Sequence, residues 1–420
     1  MFARSHIFST GKREFKTVWN TANTSTGSSS STQVKLPLES AGVYSFDVDW
    51  GDGNNDTITT WNQAETTHTY STAGTYTITI TGTIRGWSFN NTGDKLKPTY
   101  IDAYGPLALL GEGAFYGCDN VEVRATDAPD LSYTTTLKRC WEACGTVTNM
   151  GGQWRTSTIT NIQAWWQNAT NMNDPKVVNC DFSNVVVGRV AFRGTLSFTY
   201  SVAGCDWSSL DDADYMFLDS HYNQALSTMS LPAATSMLGF MQDNTHFNNS
   251  LPSNTPLVTD MSYLLYQSTA FQQALIINIQ SVTTFTNWLN GITLTTANYD
   301  TTLEHFGGQS IVSGRTISFG SATYTASEVV SAATNTGSGT TLTDTSQSFL
   351  TTVSAGDVVR NDTTGNYARV SSVDSNTQLT LDTAIMNNTD TYAVETSDSA
   401  KARAAMVIDY NTVITDGGPV

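Results

Sequence analysis

Bulky side chains recur at a nearly fixed interval through the middle of this chain. One register repeats at steps of 24 to 26 residues and comprises Phe115, Trp141, Trp166, Phe192, Phe217, Met241, Leu265 and Leu289. Further registers run in step with it, starting at Tyr222, Leu226 and Met237. A fixed period of this length is typical of stacked units that bury their inner faces only against their neighbours. The pattern predicts a solenoid over residues 98–297.

The repeats resemble the leucine-rich repeats of bacterial surface antigens. The segment Ala114–Val121 is similar to the form that such repeats take in their N-terminal copies. The segment Ala213–Phe217, followed by His221–Leu226, resembles a second form of the same repeat. The copies diverge most around Val177–Thr199. The resemblance implies a leucine-rich-repeat solenoid.

Residues 15–97 alternate apolar with polar side chains between turns rich in Gly, Asn and Asp, which predicts an antiparallel sheet. The segments Val48–Gly53, His68–Tyr70 and Ala73–Ile80 resemble the PKD domain, an immunoglobulin-like β-sandwich, in order and spacing. We expect Trp50 to fill the interior of this sandwich. The resemblance implies a surface spacer or interaction module without catalysis.

After the repeats, Leu294–Leu303 resembles the closing segment of such arrays, which should continue through a β stretch to a short helix and a terminal strand. We assign this cap to residues 298–333 and 396–420. The β stretch is Ile317–Tyr324, but the helix, Ser399–Met406, follows only some 75 residues later. The intervening residues 334–395 include strand-like runs joined by a hairpin turn. We predict a small β domain inserted into the cap, because exposed loops tolerate insertions. The predicted fold class of the whole chain is mainly β.

The sequence offers little from which to build an active site. Four of the five cysteines form pairs separated by one repeat, Cys118 with Cys144 and Cys180 with Cys205. This spacing favours free thiols at small buried positions of a stacked array, with a disulfide or a metal site as alternatives. The acidic turns Asp47–Asp56 and Asp211–Asp214 suit solvated carboxylates or, alternatively, Ca²⁺. We expect no catalytic residue, no metal and no cofactor, and a polysaccharide depolymerase is the enzymatic alternative.

Two features are candidates for partner binding. The first is an N-terminal arm, residues 1–14, which we expect to dock on an acidic particle unless it is a plain disordered terminus. Its basic residues are Arg4, Lys12 and Arg13. The second is Trp165, which should point outward as a sugar platform if its segment is extended, because its neighbour Trp166 belongs to the buried register. The Ser/Thr-rich stretch Thr24–Thr32 is predicted to be a loop or linker.

The charge balance makes nucleic acid a poor partner. The chain has 420 residues, with 37 Asp and Glu against 20 Lys and Arg, and a formal net charge of −17. It therefore lacks the basic footprint of a nucleic-acid-binding protein. No run of about 18 apolar residues is present, so we expect no membrane span. The segment Met1–Lys16 lacks the apolar core of a secretory signal, so either a signal has been removed or the chain is assembled in the cytosol, and Met1 favours the second alternative.

Two functions are compatible with these features. The first is a structural virion protein of a tailed phage, such as a capsid-decoration, fibre or spike subunit, assembled in the host cytoplasm. Its expected partners are other virion proteins, further copies of itself and host surface glycans. The low charged fraction of 14% and the unpaired cysteines favour it. The second is a bacterial adhesin at the cell surface, which would require a leader segment.

Overall fold

The structure, a computed structural model, describes residues 13–420. The fold is mainly β, as predicted, with 17 strands and three α-helices among the described residues. The chain divides into two compact units, one ending at Tyr222 and the other formed by Asn223–Val420.

The N-terminal unit begins with nine strands. They are β1 (Glu14–Asn20), β2 (Gln33–Lys35), β3 (Val43–Asp49), β4 (Asn55–Ile58), β5 (Thr67–Thr69), β6 (Thr75–Arg85), β7 (Pro98–Ala103), β8 (Leu107–Ala108) and β9 (Glu122–Val123). Seven of them form one sheet in the order β4-β3-β6-β1-β7-β9, with β8 paired to β6, whereas β2 pairs with β5 separately. Strands β1, β3 and β6 pair antiparallel, and β3 buries alternate residues as its period-two pattern predicts. Single 3-10 turns lie at Ala64–Thr66 and Pro175–Asn179.

From Gly113 to the end of this unit, successive segments of 25 or 26 residues are hydrogen-bonded in parallel, each to the next. In one segment, the donors are the alternate backbone N–H groups of Leu137, Arg139, Trp141 and Ala143. Their acceptors are the carbonyl oxygens 24 positions later, at 2.8 to 2.9 Å. The N–H groups between them bond locally, as Cys140 does to the Leu137 carbonyl at 3.0 Å. The backbone polar groups of each segment thus find hydrogen-bond partners although the segment contains no long strand.

Each segment turns through two residues in the left-handed backbone region, four positions apart. The pairs in the N-terminal unit are Gly113 with Gly117, Arg139 with Ala143, Ala164 with Asn168, Val190 with Gly194 and Tyr215 with Asp219. Alternation of right- and left-handed residues aims backbone N–H groups in a common direction. A left-handed residue with a side chain costs about 1–2 kcal/mol, and a β-branched one such as Val190 is a marked outlier. The hydrogen bonds between segments and the buried interior must offset this strain.

This turn geometry contradicts the prediction that Trp165 is exposed. Ala164 has a φ of 55°, and the Trp165 N–H donates to the Ile162 carbonyl at 3.0 Å, so the segment is a tight turn and not a strand. Neighbouring side chains therefore do not alternate between two faces. Trp165 and Trp166 are both fully buried, with ring centroids 4.5 Å apart. The expected outward sugar platform at Trp165 is wrong.

The residues of the main predicted register do form the interior. In the N-terminal unit Phe115, Trp141, Trp166, Phe192 and Phe217 are all at most 2% exposed. Phe115 stacks on Trp141 with centroids 4.4 Å apart, and Phe192 stacks on Phe217 at 5.2 Å. Stacked rings one repeat apart fill the space between segments.

The cysteines occupy small positions in the same array, as predicted. All five are free thiols, and only Cys205 is partly exposed. The Cys144 thiol donates to the Phe115 carbonyl at 3.0 Å. Burial raises the pKa of Cys180 to about 12 and that of Cys205 to about 11, so both thiols are protonated at neutral pH.

The C-terminal unit contains the same arrangement. The N–H groups of Met237, Gly239, Met241 and Asp243 donate to carbonyl oxygens 23 positions later, at 2.7 to 3.0 Å. The next segment repeats this from Met261 to Gln267, and left-handed pairs recur at Gly239 with Asp243, Tyr263 with Gln267 and Asn287 with Gly291. The register residues Met241, Leu265 and Leu289 are buried.

Two helices and a pair of short strands follow these segments. Helix α1 (Thr296–Gly307) is capped by the Thr295 hydroxyl, which accepts from the Asn298 N–H at 3.3 Å. Strands β10 (Thr316–Ser318) and β17 (Val413–Thr415) pair in parallel. Helix α3 (Asp398–Tyr410) lies at the position predicted for the cap helix. Ser397 is its N-cap, and Asn411, in the left-handed backbone region, is its C-cap.

A six-stranded sheet lies between β10 and α3 in the chain. Its strands are β11 (Glu328–Thr334), β12 (Thr341–Thr343), β13 (Val358–Asn361), β14 (Tyr367–Ser375), β15 (Gln378–Leu381) and β16 (Thr391–Glu395), with the short helix α2 (Phe349–Thr352). The strand order is β11-β16-β13-β14-β15-β12. Leu342, Phe349, Val359, Leu379 and Tyr392 belong to one buried cluster. The sheet starts at Glu328, before the predicted boundary at residue 334. Glu328 pairs with Glu395, so the first and last residues of the sheet lie side by side.

Candidate interaction surfaces

A groove of about 590 Å³ opens on the N-terminal unit beside the β2–β5 pair. Its lining includes Leu36, Trp61, Asn62, Thr67, Phe89 and Asp94. Sites for small ligands commonly have volumes of about 300–1,000 Å³ and combine apolar walls with a few polar groups. The groove fits that description in size, and its lining is more polar than apolar.

One of the lining residues of the groove, Asp94, belongs to a buried ion pair with Lys97. Lys97 and Asp94 are 0% and 3% exposed, with Nζ 3.5 Å from Oδ1. Asp94 accepts hydrogen bonds from the Ser29 N–H and hydroxyl and from the Lys35 N–H at 2.6 to 2.7 Å. Burial lowers the pKa of Lys97, and the charge of Asp94 opposes that shift. The Ser/Thr-rich loop is therefore tied to the domain and does not act as a free linker.

The rim of the groove carries Trp61 on a short loop. The side-chain amide of Gln63 closes this loop, because its Oε1 accepts from the Thr59 N–H at 2.8 Å and the Thr60 N–H at 3.1 Å. Its Nε2 donates to the Thr57 carbonyl at 2.9 Å. Trp61 is 45% exposed, whereas the other nine tryptophans of the chain are fully buried. Sequence reasoning missed Trp61, although its place outside every repeat register and between polar residues was a usable signal.

Only one basic residue of the predicted N-terminal arm lies among the described residues. Arg4 and Lys12 lie outside them, and Arg13 is exposed at the start of β1. Arg13 lines a shallow depression of about 350 Å³ with Asp47 and Pro106. Docking through the arm therefore stays a prediction.

The aromatic and acidic cluster around the Gly51–Gly53 turn is structural. The His68 ring stacks on Trp50 with centroids 4.8 Å apart, and its Nε2 lies 2.8 Å from an Asp52 carboxylate oxygen. Burial raises the pKa of Asp52, but hydrogen bonds from His68 and Asn54 outweigh it, and the net pKa is lowered. These contacts bind the turn to β5.

The acidic residues do not form a metal centre in the part of the chain that the structure describes. No group of three or more His, Cys, Asp or Glu side chains there is arranged to hold an ion. In the Asp211–Asp214 turn, Asp214 instead pairs with Arg189 at 2.8 Å. Over the same residues, no helix is long and apolar enough to cross a bilayer.

A network of buried charges joins the six-stranded sheet to the segments around it. The Tyr324 hydroxyl is 3.1 Å from both carboxylate oxygens of Glu395, which also pairs with Arg360. Burial raises the pKa of Glu395, and Arg360 and Tyr324 oppose this. On helix α3, Arg403 forms a two-pronged pair with Asp416 at 2.8 and 3.3 Å. Its central carboxylate, Glu395, is fully buried, so the network suits attachment of the sheet to these segments.

One family model matches the repeat region. Its description is "Mycoplasma protein of unknown function, DUF285", and it matches residues 112–229 and 219–302. The two matches together cover less than half of the chain. No curated protein and no solved structure matches the chain. The repeats are therefore similar to a family whose description assigns no activity.

Proposed function

We propose that this chain is a structural, non-catalytic protein that presents interaction domains on a particle or cell surface. In this proposal the N-terminal sheets are a PKD-type immunoglobulin-like sandwich, and the hydrogen-bonded segments are a leucine-rich-repeat-type solenoid. The small sheet is a domain inserted into the solenoid cap. Support for the sandwich comes from the packing of Trp50, His68 and Tyr70, the residues that carry the resemblance.

The observation that carries the proposal is the closed interior of the repeats. Parallel backbone hydrogen bonds join consecutive segments, and stacked aromatic rings fill the space behind them. Repeats built in this way offer partners their outer surface, and each is stabilised by its neighbours. This construction suits a scaffold that carries other domains.

We favour a virion component of a tailed phage, a capsid-decoration, fibre or spike subunit, with other virion proteins and further copies of itself as partners. The uncharged polar composition and the free cysteines support assembly in a reducing host cytoplasm. The basic residues Arg4, Lys12 and Arg13 are the candidate docking group on an acidic particle.

Mass spectrometry and immunogold labelling of purified virus particles from the source of this sequence test the proposal. We expect the chain at a stoichiometry comparable with other structural proteins, and immunogold then separates capsid from tail. A triple Arg4→Ala, Lys12→Ala, Arg13→Ala variant should lose incorporation while remaining folded. Particles without the chain would overturn the virion assignment.

A bacterial cell-surface adhesin is the second candidate, favoured by one observation. The family model that matches the repeats is described as a Mycoplasma protein, which points to a cellular bacterium. Detection of the chain on cell envelopes and not in particles would support this candidate.

A further inference from the structure

We propose that the groove bounded by Trp61 binds a neutral glycan. This deepens the proposed function by naming the chemistry of a partner and the domain that binds it. Three properties of the groove support this assignment, namely an exposed aromatic platform, a rigid frame and the absence of an available buried charge.

Trp61 is exceptional within this chain. Nine of the ten tryptophans are fully buried, so the interior is the usual place of an indole ring in this fold. Trp61 instead leaves 45% of its surface in solvent, beside a concave surface. An indole offers a flat apolar face, which suits the C–H face of a pyranose ring, and a polar N–H at its edge.

The platform is held in place before any ligand arrives. Gln63 closes the loop through three hydrogen bonds to backbone groups of residues 57–60, and Asp94, paired with Lys97, holds Ser29 of the groove lining in place. A rigid aromatic residue loses little conformational entropy on binding, which favours affinity. The groove is therefore preorganised for a ligand with a flat face.

The polar lining favours an uncharged ligand rich in hydroxyl groups, because the one charged side chain that it exposes, Lys35, is solvated and needs no anionic partner. Asp94 is already saturated by Ser29, Lys35 and Lys97, so it offers no acceptor to a cation. Lys97 is buried and donates to backbone carbonyls of the Ser-rich loop. Among the described residues, the side chains of Asn62 and Thr67 line the groove without a hydrogen-bond partner. An amide and a hydroxyl are the groups that pair with sugar hydroxyls.

The test uses the full chain on an array of neutral oligosaccharides, including maltohexaose, cellohexaose, mannohexaose and chitohexaose, with sialylated and uronic-acid glycans for comparison. We expect binding to one or more neutral glycans, with Trp61→Ala weakening it by at least about tenfold, equivalent to about 1.4 kcal/mol. Trp61→Phe should retain part of the affinity. Tyr133→Ala is the matched control, because Tyr133 is equally exposed at 46% but does not line the groove.

Fluorescence gives a second readout that a merely structural role would not change. Because Trp61 is the one exposed indole, iodide should quench a single accessible fraction, and that fraction should disappear in Trp61→Ala. A bound neutral glycan should protect it from quenching. Absence of any neutral-glycan binding, binding only to acidic glycans, or equal binding by Trp61→Ala would overturn the proposal. None of these outcomes bears on particle detection, so this inference and the virion assignment fail independently.

Discussion

Replacing Ala164 with glycine should test the left-handed turns that define the repeats. Ala164 has a φ of 55° and is 3% exposed. Ala169, five positions later in the same segment, is 0% exposed and is not left-handed. Both Ala→Gly changes remove one buried methyl, worth about 0.8 kcal/mol, and increase the freedom of the unfolded chain by about 0.5–1 kcal/mol. Only Ala164→Gly also relieves left-handed strain of about 1–2 kcal/mol.

Ala169→Gly should therefore lower the free energy of unfolding by about 1–2 kcal/mol, and Ala164→Gly should leave it within about 1 kcal/mol of the parent chain. Urea unfolding followed by circular dichroism measures both, provided that the denaturant dependence is the same in all three proteins. The informative quantity is the difference between the two variants, because the methyl and entropy contributions cancel in it. Equal destabilisation by the two changes would refute the left-handed geometry at Ala164.

Four further outcomes are expected. Phe217→Ala should cost about 3–5 kcal/mol in urea unfolding through the cavity it leaves, and a change below about 1 kcal/mol would place Phe217 outside the core. A thiol reagent should label native protein only at Cys205, slowly, and all five cysteines after denaturation, as counted by mass spectrometry. Folding lowers the pKa of Asp52 from 3.8, so the stability that its carboxylate contributes is present above about pH 4 and is lost as the pH falls below that. Asp52→Asn should therefore make the midpoint of urea unfolding less dependent on pH over that acid range. Replacing residues 329–394 by a short Gly/Ser turn should leave the remaining cooperative unfolding transition intact, because Glu328 and Glu395 are paired neighbours; loss of that transition would argue against an inserted domain.

The main register was predictable because stacking places equivalent residues on top of one another. The side chains of Trp141, Trp166 and Phe192 recur at the spacing that the backbone hydrogen bonds impose, and all three are buried. The existence of helix α3 was equally predictable, because the run Ser399–Met406 is rich in alanine. In each case a local pattern and the tertiary arrangement favour the same structure.

The orientation of Trp165 was not predictable in this way. Its burial depends on the sign of φ at Ala164, and alanine carries no signal for a left-handed conformation. Trp61 was missed for a different reason, since neither a period of two nor a period of 25 applies in a turn. Its exposure follows from loop closure by Gln63, a contact between side chain and backbone that composition does not reveal.

The hydrogen bonding of the repeats indicates which side chains of this region are available to contact a partner. In the divergent stretch Val177–Thr199, the N–H groups of Gly188, Val190 and Phe192 still donate to carbonyls 24 positions later. Because every residue except proline supplies these backbone groups, outward side chains can vary without loss of the array. Substitution of exposed Leu196 should therefore leave stability nearly unchanged and affect only binding, whereas substitution of Trp165 should affect stability first. A loss of binding in a Trp165 variant would not by itself locate a contact.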